Sequence, residues 1–498
     1  MKLADLLSGV DLVGSLPPDK ATYSVRGLDY DSRRVGPGFL FFAFPGARVD
    51  GRAFAAQALE KGAEAIVSEL PAPAGFPGAW IQVRHGRQAL ALAARRFHHA
   101  PDSTLALTGV TGTNGKTTTV YCIDAMLRHA GHVTGMAGTI RHRAGAEERP
   151  AVNTTPESLD LIRLMDETRA LGGSHFTCEI SSHALALGRV FHLDFHTVIF
   201  TNLTRDHLDF HETMENYFDA KQQLTLGAGG NPPKFVLLNA DDSWAVRAAA
   251  SPNSTRLTFG VKQQADFRAE KIDLGFHGLR FDIRHPRGRV SLASPLTGLF
   301  NVSNLLGAFA AGVCLGLSPE AAAAGLASCA AVPGRFERVD EGQPFLVVVD
   351  YAHTDDALRN TLAAARALHP KRVITLFGCG GDRDRAKRPL MGQAAGEGSD
   401  LVVLTSDNPR GEDPLAIIND ALVGVRRTDT RVLVEPDREA AIRKAISEAG
   451  PGDIILLAGK GHEPYQVLRD RTIDFDDRDA ARRILRSFGY SSRKETRP

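Results

Sequence analysis

The chain has 498 residues, with 59 Lys+Arg against 58 Asp+Glu and a formal charge of +1 at pH 7. At about 150 residues per domain, this length predicts roughly three domains. A composition of 43% hydrophobic and 23% charged residues excludes a wholly disordered or fibrous chain, and the even charge balance argues against a protein that coats nucleic acid, which needs a large cationic excess.

With 48 glycines and 7% aromatic residues, tight turns and close backbone approaches are expected rather than broad stacking surfaces. The five cysteines, at positions 122, 178, 314, 329 and 379, form no CxxC pair. They fit a reducing cytoplasm better than a disulfide framework or a zinc site. The N-terminal MKLADLLSGVDLVGSLPPDK carries Asp5 and Asp11 and makes a poor signal peptide. No apolar run approaches the ~18 residues of a membrane span. The expectation is a cytoplasmic protein, acting as a monomer.

In chain order, Phe39–Phe44 reads as a buried strand, Pro45–Gly51 as a turn, Ala53–Lys61 as a helix stopped by Gly62, and Ala65–Ser68 as the next strand. A second element opens near Pro101-Asp102 with the strand Leu105–Gly109. The apolar runs Phe176–Ile180, Val198–Leu203 and Phe235–Leu238 then alternate with helical stretches, the rhythm of a mostly parallel α/β sheet. Residues 256–297 have β-type patterning and predict an antiparallel insertion. The Ala-rich helix Pro319–Ala331 leads into a linker at Val332-Pro333-Gly334. Beyond it, Leu346–Asp350, Val373–Phe377, Leu401–Thr405, Arg431–Val434 and Ile454–Leu457 predict a second doubly wound domain, with a polar tail from Ser491. The fold class is therefore α/β in three domains. A small N-terminal domain would occupy residues 1–100, a central P-loop domain with the antiparallel insertion 101–333, and a C-terminal Rossmann-like domain 334–498.

The sharpest chemical signal is the strand–turn–helix Leu105–Thr119. Its glycines would aim backbone N–H groups and a helix N-terminus at phosphates, with Lys116 supplying charge and Thr117 a hydroxyl for Mg²⁺. The general P-loop pattern wants glycine at 110, which is Val110 here, with Gly109 and Gly112 flanking it. Gly378-Cys-Gly-Gly-Asp-Arg383 imitates a dinucleotide fingerprint, but Arg383 stands where the third glycine belongs, which argues against a nicotinamide cofactor. His207 and His211 have an i, i+4 spacing, yet no further ligand set supports zinc.

The run Gly112-Thr-Asn-Gly-Lys-Thr-Thr118 resembles the ATP loop of the Mur ligases, which extend the peptide of the cell-wall precursor. Asn153-Thr-Thr-Pro156, Glu179-Ile-Ser-Ser-His183, Thr201–Asp209, Phe300–Asn304, Gly334-Arg-Phe-Glu337 and Asp350-Tyr-Ala-His353 follow in the family's order. Asp407-Asn-Pro-Arg410 is similar to the members that add meso-diaminopimelate. The resemblance covers essentially the whole chain. It implies an ATP-dependent amide-forming ligase that joins meso-diaminopimelate to the D-Glu γ-carboxylate of UDP-MurNAc-L-Ala-D-Glu through an acyl phosphate.

The resemblance also implies the site. ATP would be held by Gly112, Thr113, Asn114, Gly115, Lys116, Thr117, Thr118, Asn301, Arg335 and His353, the last two reaching the nucleotide on domain closure. Mg²⁺ would be held by Thr117, Glu179, His207 and Lys221, the lysine as a carbamate; Lys116, Glu179, His207 and Lys221 are the catalytic set. By its own pattern, Lys221 in Tyr217–Gln222 reads as a solvated helix lysine. The uridine precursor would meet Tyr30, Ser32, Asn153, Thr154, Thr155, Ser181 and Arg189. Diaminopimelate would meet Arg383, Asp407, Asn408, Pro409, Arg410, Gly459 and Glu463. This chain departs from the family at Ala47-Arg48-Val49, where His-Gln-Ala is common, at Leu187, where glutamine is common, and at Asp355, where proline is common. The rival readings are a lysine-adding or folylpolyglutamate-synthetase-like ligase, and a P-loop ATPase that makes no bond.

Overall fold

The computed structural model describes residues 1–16, 18–46, 49–329 and 331–491. Ala47, Arg48 and the polar tail from residue 492 lie outside the described residues. The chain divides into two compact units: residues 1–265 with 307–322, and residues 266–306 with 323–498.

The first unit opens with a parallel sheet of β1 (Gly27–Asp29), β2 (Phe39–Phe42), β3 (Ala63–Ser68) and β4 (Trp80–Gln82), in that order. Strand alternation divides its apolar residues between two faces. Leu40 and Phe42 pack with Leu28, Ala65 and Val67, while Phe41 packs with Ala55, Ala58 and Ile66. The helix Ala55–Glu60 ends before Gly62, whose φ of +93° and approach to Pro37 leave no room for a side chain.

Next come β5 (Ala106–Thr111), β6 (Thr134–Ala137), β7 (Arg141–Ala144), β8 (Glu147–Pro150), β9 (His175–Glu179), β10 (Thr197–Phe200), β11 (Phe235–Asn239) and β12 (Thr255–Gly260). They run in the order β12-β11-β10-β5-β9-β6-β7-β8, parallel from β12 to β6 and antiparallel through the last two pairings. One expectation is corrected here, and one element is new. β12 belongs to the parallel ladder, with Thr255 opposite Phe235, because alternation reveals a strand but not its direction. The hairpin β6-β7-β8 had no apolar signal, since β7 reads Arg-His-Arg-Ala; it is fixed instead by Arg143, which is buried against Asp124 and Thr134.

The second unit contains a meander of β13 (Phe267–Gly275), β14 (Gly278–His285) and β15 (Gly288–Ser294). The antiparallel stretch expected from residue 256 thus begins at residue 267. The helix Pro319–Ala327 stops short of Ala331, because its last turn tightens into i→i−3 bonds from Ser328 and Cys329. The larger sheet consists of β16 (Glu337–Val339), β17 (Leu346–Asp350), β18 (Val373–Phe377), β19 (Leu401–Leu404), β20 (Arg431–Val434) and β21 (Ile454–Ala458), ordered β16-β17-β21-β18-β19-β20. Only β16 is antiparallel. The five expected strands are all present; β16 and the hairpin β22 (Tyr465–Val467) with β23 (Thr472–Asp474) were too short and polar to announce themselves. β17 is buried on both faces, Leu346 and Val348 toward one helical layer and Val347 and Val349 toward the other, which explains its unbroken apolar run.

One ion pair locks this layer. Arg438 and Asp477, first residues of the helices Arg438–Glu448 and Asp477–Ser487, are both wholly buried and meet through two 2.7 Å bonds. The guanidinium also donates to the carbonyls of Ser406, just beyond β19, and Ala458, the last residue of β21. Removing one partner of such a pair strands a buried charge. Arg438→Ala is therefore expected to lower the unfolding free energy of the second unit by about 3–5 kcal/mol, read from urea denaturation; a loss under about 0.5 kcal/mol, the level of a surface substitution, would refute the assignment.

Candidate active site

β5 carries the chain to Thr111, and the helix Lys116–His129 starts after the turn Gly112–Gly115. Gly112 has φ +141°, and a Cβ there would lie 1.9 Å from Thr201 Oγ1; Gly115 has φ +87°. Val110 does not occupy the turn at all: it is a buried strand residue paired with Glu179, so glycine is not required there. The loop is braced from the end of β10. Asn202 accepts from the Asn114 N–H (2.9 Å) and donates to its carbonyl (3.0 Å), and Thr201 Oγ1 donates to the same carbonyl at 2.7 Å. Lys116 folds back over the turn, donating to the carbonyls of Gly112 (2.7 Å) and Thr113 (2.8 Å).

Glu179, at the carboxyl end of β9, is wholly buried. Its Oε2 accepts from the hydroxyls of Thr117 (2.9 Å) and Thr139 (3.0 Å), and its Oε1 from the Thr139 N–H (2.8 Å). Lys221 is the surprise. Only 1% exposed, it donates to the Gly112 carbonyl at 2.8 Å and lies over the Tyr217 ring. The solvated-lysine reading is therefore wrong: Lys221 shares the buried stripe of its helix with Tyr217, Phe218 and Leu224, an i, i+3, i+4 spacing visible in the sequence. Burial holds its pKa well below the usual lysine value, the positive charge of Lys116 adds to this, and Asp206 opposes it.

His207 adopts φ +53° and is half exposed. Burial lowers its pKa against the opposing pull of Asp206. Its ring meets His183 edge-on at 4.9 Å, and His183 in turn contacts Phe210 and His211. Burial, then His183 and Lys221, push His211 down to about 4. Among the described residues, no three His, Cys, Asp or Glu side chains converge as a metal cage. The neighbouring Thr117 and Glu179 oxygens are instead the hard donors that suit Mg²⁺, which retains waters and takes few protein ligands. An ammonium at Lys221 would oppose a cation; a carbamate there would fit one.

Three of the residues assigned to the precursor come together beside Glu179. Thr155 Oγ1 donates to the Glu179 carbonyl (2.7 Å) and accepts from the Ser181 N–H (3.0 Å), while Arg189 donates to the Thr155 carbonyl (3.0 Å). Ser181 caps the helix Ser182–Ala186. Thr154 lies 3.1 Å from Thr139 through their hydroxyls, and Asn153 is exposed. Tyr30 and Ser32 have other partners, Asp160 and Gln57. The sequence reading missed Thr139, Arg87 and Glu157; the last is paired with both Arg87 and Arg189.

The second unit gathers the residues assigned to diaminopimelate at the ends of β18, β19 and β21, where a parallel sheet collects ligands. Gly378 admits no side chain, since a Cβ would meet the Thr405 carbonyl at 2.5 Å. Asn408 Nδ2 donates to Glu463 at 3.0 Å, and Asn408 Oδ1 accepts from Lys460 (3.2 Å) and the Val467 N–H (2.9 Å). Lys460, to which the sequence reading gave no role, is fully buried between Asp407 and Glu463. Burial lowers its pKa and Asp407 opposes the shift. Arg410 has φ +50° and donates through Nη1 to the carbonyls of Gly381 (2.8 Å) and Asn408 (3.4 Å). Arg383 is exposed, and Gly459 turns at φ +110°. Elsewhere in this unit, Arg335 lies over the Tyr351 ring, His353 is exposed, and Asn301 is buried with its amide on the Thr297 carbonyl.

Three domain families match in succession: "Mur ligase family, catalytic domain" over residues 24–98, "Mur ligase middle domain" over 110–312, and "Mur ligase, glutamate ligase domain" over 334–461. The UDP-N-acetylmuramoyl-L-alanyl-D-glutamate–2,6-diaminopimelate ligase of Solibacter usitatus is 62% identical over 490 residues, 98% of this chain and 99% of that protein. The chain belongs to the Mur ligase family. The ligase of the same name from Geobacillus thermodenitrificans is 46% identical across 98% of this chain and 99% of its own. A solved structure of a ligase so named aligns with TM-score 0.70 and 32% identity, covering 99% and 100% of the two chains.

In this Mur ligase the turn Gly112–Gly115 tolerates no added methyl group at Gly112. Gly112→Ala forces a Cβ into Thr201 Oγ1 at a backbone angle that L side chains rarely adopt. It is expected to weaken ATP binding by about tenfold or more, roughly 1.4 kcal/mol, as measured by calorimetric titration, while the far-ultraviolet spectrum stays unchanged. Wild-type affinity in this variant would contradict the geometry of the loop.

Proposed function

We propose that this Mur ligase joins meso-diaminopimelate to the γ-carboxylate of D-Glu in UDP-MurNAc-L-Ala-D-Glu, with cleavage of ATP to ADP and phosphate. The observation that carries the reading is Arg410, held at the mouth of three strand ends beside Asn408 and Glu463, in a chain 62% identical to a protein named for this reaction. Diaminopimelate differs from lysine by a second carboxylate beside its distal amine. A guanidinium can grip that carboxylate bidentately, and bound lysine would leave it facing a like charge.

A γ-carboxylate oxygen of D-Glu attacks the γ-phosphorus of ATP, the bond to ADP breaks, and an acyl phosphate results. The diaminopimelate amine then adds to the acyl carbon, loses its proton, and expels phosphate from the tetrahedral adduct. Lys116, on the carbonyls of Gly112 and Thr113, is placed to neutralise charge on the transferring group, where preorganised cations contribute most. Thr117, Glu179, His207 and a carbamylated Lys221 would hold Mg²⁺, which when bound supplies further charge neutralisation. Asn301, Arg335 and His353 complete the nucleotide assignment. Tyr30, Ser32, Asn153, Thr154, Thr155, Ser181 and Arg189 take the uridine precursor, and Arg383, Asp407–Arg410, Gly459 and Glu463 take the amino acid. We assign the precursor-binding, ATP-binding and amino-acid-binding domains to residues 1–100, 101–333 and 334–498, and place the enzyme in the cytoplasm as a monomer.

ADP release measured with the precursor and a panel of amino acids tests the reading. Turnover should require the precursor together with diaminopimelate; release independent of either would favour an ATPase that makes no bond. Arg410→Ala should lower kcat/KM for diaminopimelate by about 30-fold or more, the roughly 2–5 kcal/mol of a truncated charge pair, with ATP affinity nearly unchanged. Retention of wild-type kcat/KM would place discrimination elsewhere.

The depressed pKa of Lys221 supports the carbamate. Only the neutral amine attacks CO₂, forming an N–C bond and releasing a proton. Lys221→Ala should be inactive but folded, and formate or acetate should restore part of the activity by replacing the missing anion. Absence of rescue at every carboxylate concentration would contradict the carbamate.

A further inference from the structure

Arg388 has no part in the chemistry above, yet it is 1% exposed in the first turn of the helix Lys387–Gly398. A cation there opposes the helix dipole and loses its hydration, so its partners must compensate. They are numerous. Nη2 and Nη1 meet the two carboxylate oxygens of Glu412 at 2.7 and 3.0 Å, Nη1 reaches Asp420 at 2.9 Å, and Nη2 reaches the Gly380 carbonyl at 3.3 Å.

Two of these partners, Gly380 and Glu412, belong to the two loops that carry Arg383 and Arg410; Asp420 lies in the helix Pro414–Val425. Gly380 lies in the loop after β18, and Glu412 lies just beyond Arg410 in the loop after β19. The loops are stitched together by four further bonds: Gly381 N–H to the Asn408 carbonyl (2.9 Å), Arg410 to the Gly381 carbonyl (2.8 Å), Gly411 N–H to Asp382 (3.0 Å), and Asp382 N–H to Glu412. Both arginines pass over Gly380, where a Cβ would lie 2.9 Å from Arg410 Nη1 and 3.6 Å from Arg383 Cγ. The glycine carbonyl that Arg388 grips thus belongs to the residue on which the two arginines converge.

We propose that Arg388 is a positioning residue for diaminopimelate: by clamping Glu412 and the Gly380 carbonyl from inside the fold, it sets the spacing of Arg383 and Arg410. The inference rests on the diaminopimelate reading above and deepens it. A bidentate Arg–carboxylate pair fixes direction as well as distance. Lysine, with one compact charge, cannot hold both Glu412 oxygens and the carbonyl in the same geometry.

Steady-state ADP-release kinetics on the full chain test the proposal. Arg388→Met should raise KM for diaminopimelate by about tenfold or more, while kcat at saturating amino acid and KM for ATP stay within about threefold. Arg388→Lys should recover only part of the loss. Unchanged KM for diaminopimelate in a folded Arg388→Met would overturn the proposal, as would a parallel fall in kcat with every substrate, the mark of general destabilisation. If Arg388→Met does not fold, Glu412→Gln, altered on the loop side of the clamp, decides: a raised KM for diaminopimelate alone supports the positioning role, and a wild-type value refutes it. A wild-type enzyme that turns over another amino acid but not diaminopimelate overturns the underlying reading and the inference with it, an outcome distinct from a mutant with unchanged KM.

Discussion

The buried carboxylate of Glu179 is the interaction on which the first unit's chemistry depends. A carboxylate taken out of water costs several kcal/mol unless its lone pairs are met. Here they are met by the helix that follows the phosphate loop, through Thr117, and by the backbone and hydroxyl of Thr139. The same residue's carbonyl holds Thr155, and Thr155 connects to Ser181 and Arg189. One strand end therefore fixes the register between the turn assigned to the nucleotide phosphates and the segments assigned to the acceptor substrate. The bare Cα of Gly138 beside it is part of the same constraint, since a side chain there would come within 2.4 Å of Glu179 Oε1.

What the sequence revealed, and what it hid, follows from how each feature is encoded. The parallel strands of the second unit were legible because residues buried on both faces, such as Leu346–Val349, form uninterrupted apolar runs. The turn Gly112–Gly115 was legible because its glycines answer to local backbone angles. Lys221 was hidden, because a lysine in a polar helix looks solvated until its position on the buried stripe is counted. Thr139, Glu157 and Lys460 were hidden for another reason: Glu179, Arg87 with Arg189, and Asp407 with Asn408, which they respectively meet, lie far away in sequence, and no local pattern reports a contact made by the fold. β12 was seen as a strand but given the wrong direction, which is set by the connection preceding it rather than by its own residues.

The second unit solves a related problem with different means. Its candidate site carries several charges close together, and the protein satisfies them in layers. Lys460 lies among Asp407, Asn408 and Glu463, and Arg438 with Asp477 secures the carbonyls of Ser406 and Ala458 beneath them. The loops that present the exposed Arg383 are thus held from beneath by buried charged groups, Arg388 and Arg438.

The strand β8 lies at the end of the first unit's larger sheet and is exposed along its length. Such an edge offers unpaired backbone groups to any passing strand. This one reads Glu-Glu-Arg-Pro: the charges make stacking against a second copy unfavourable, and the proline has no N–H to contribute to a growing ladder. Long-range parallel pairing forms slowly, so a chain built on such sheets spends time with edges uncovered. The hairpin β7-β8 therefore acts as a terminator, ending the sheet in a surface that discourages self-association both during folding and afterwards.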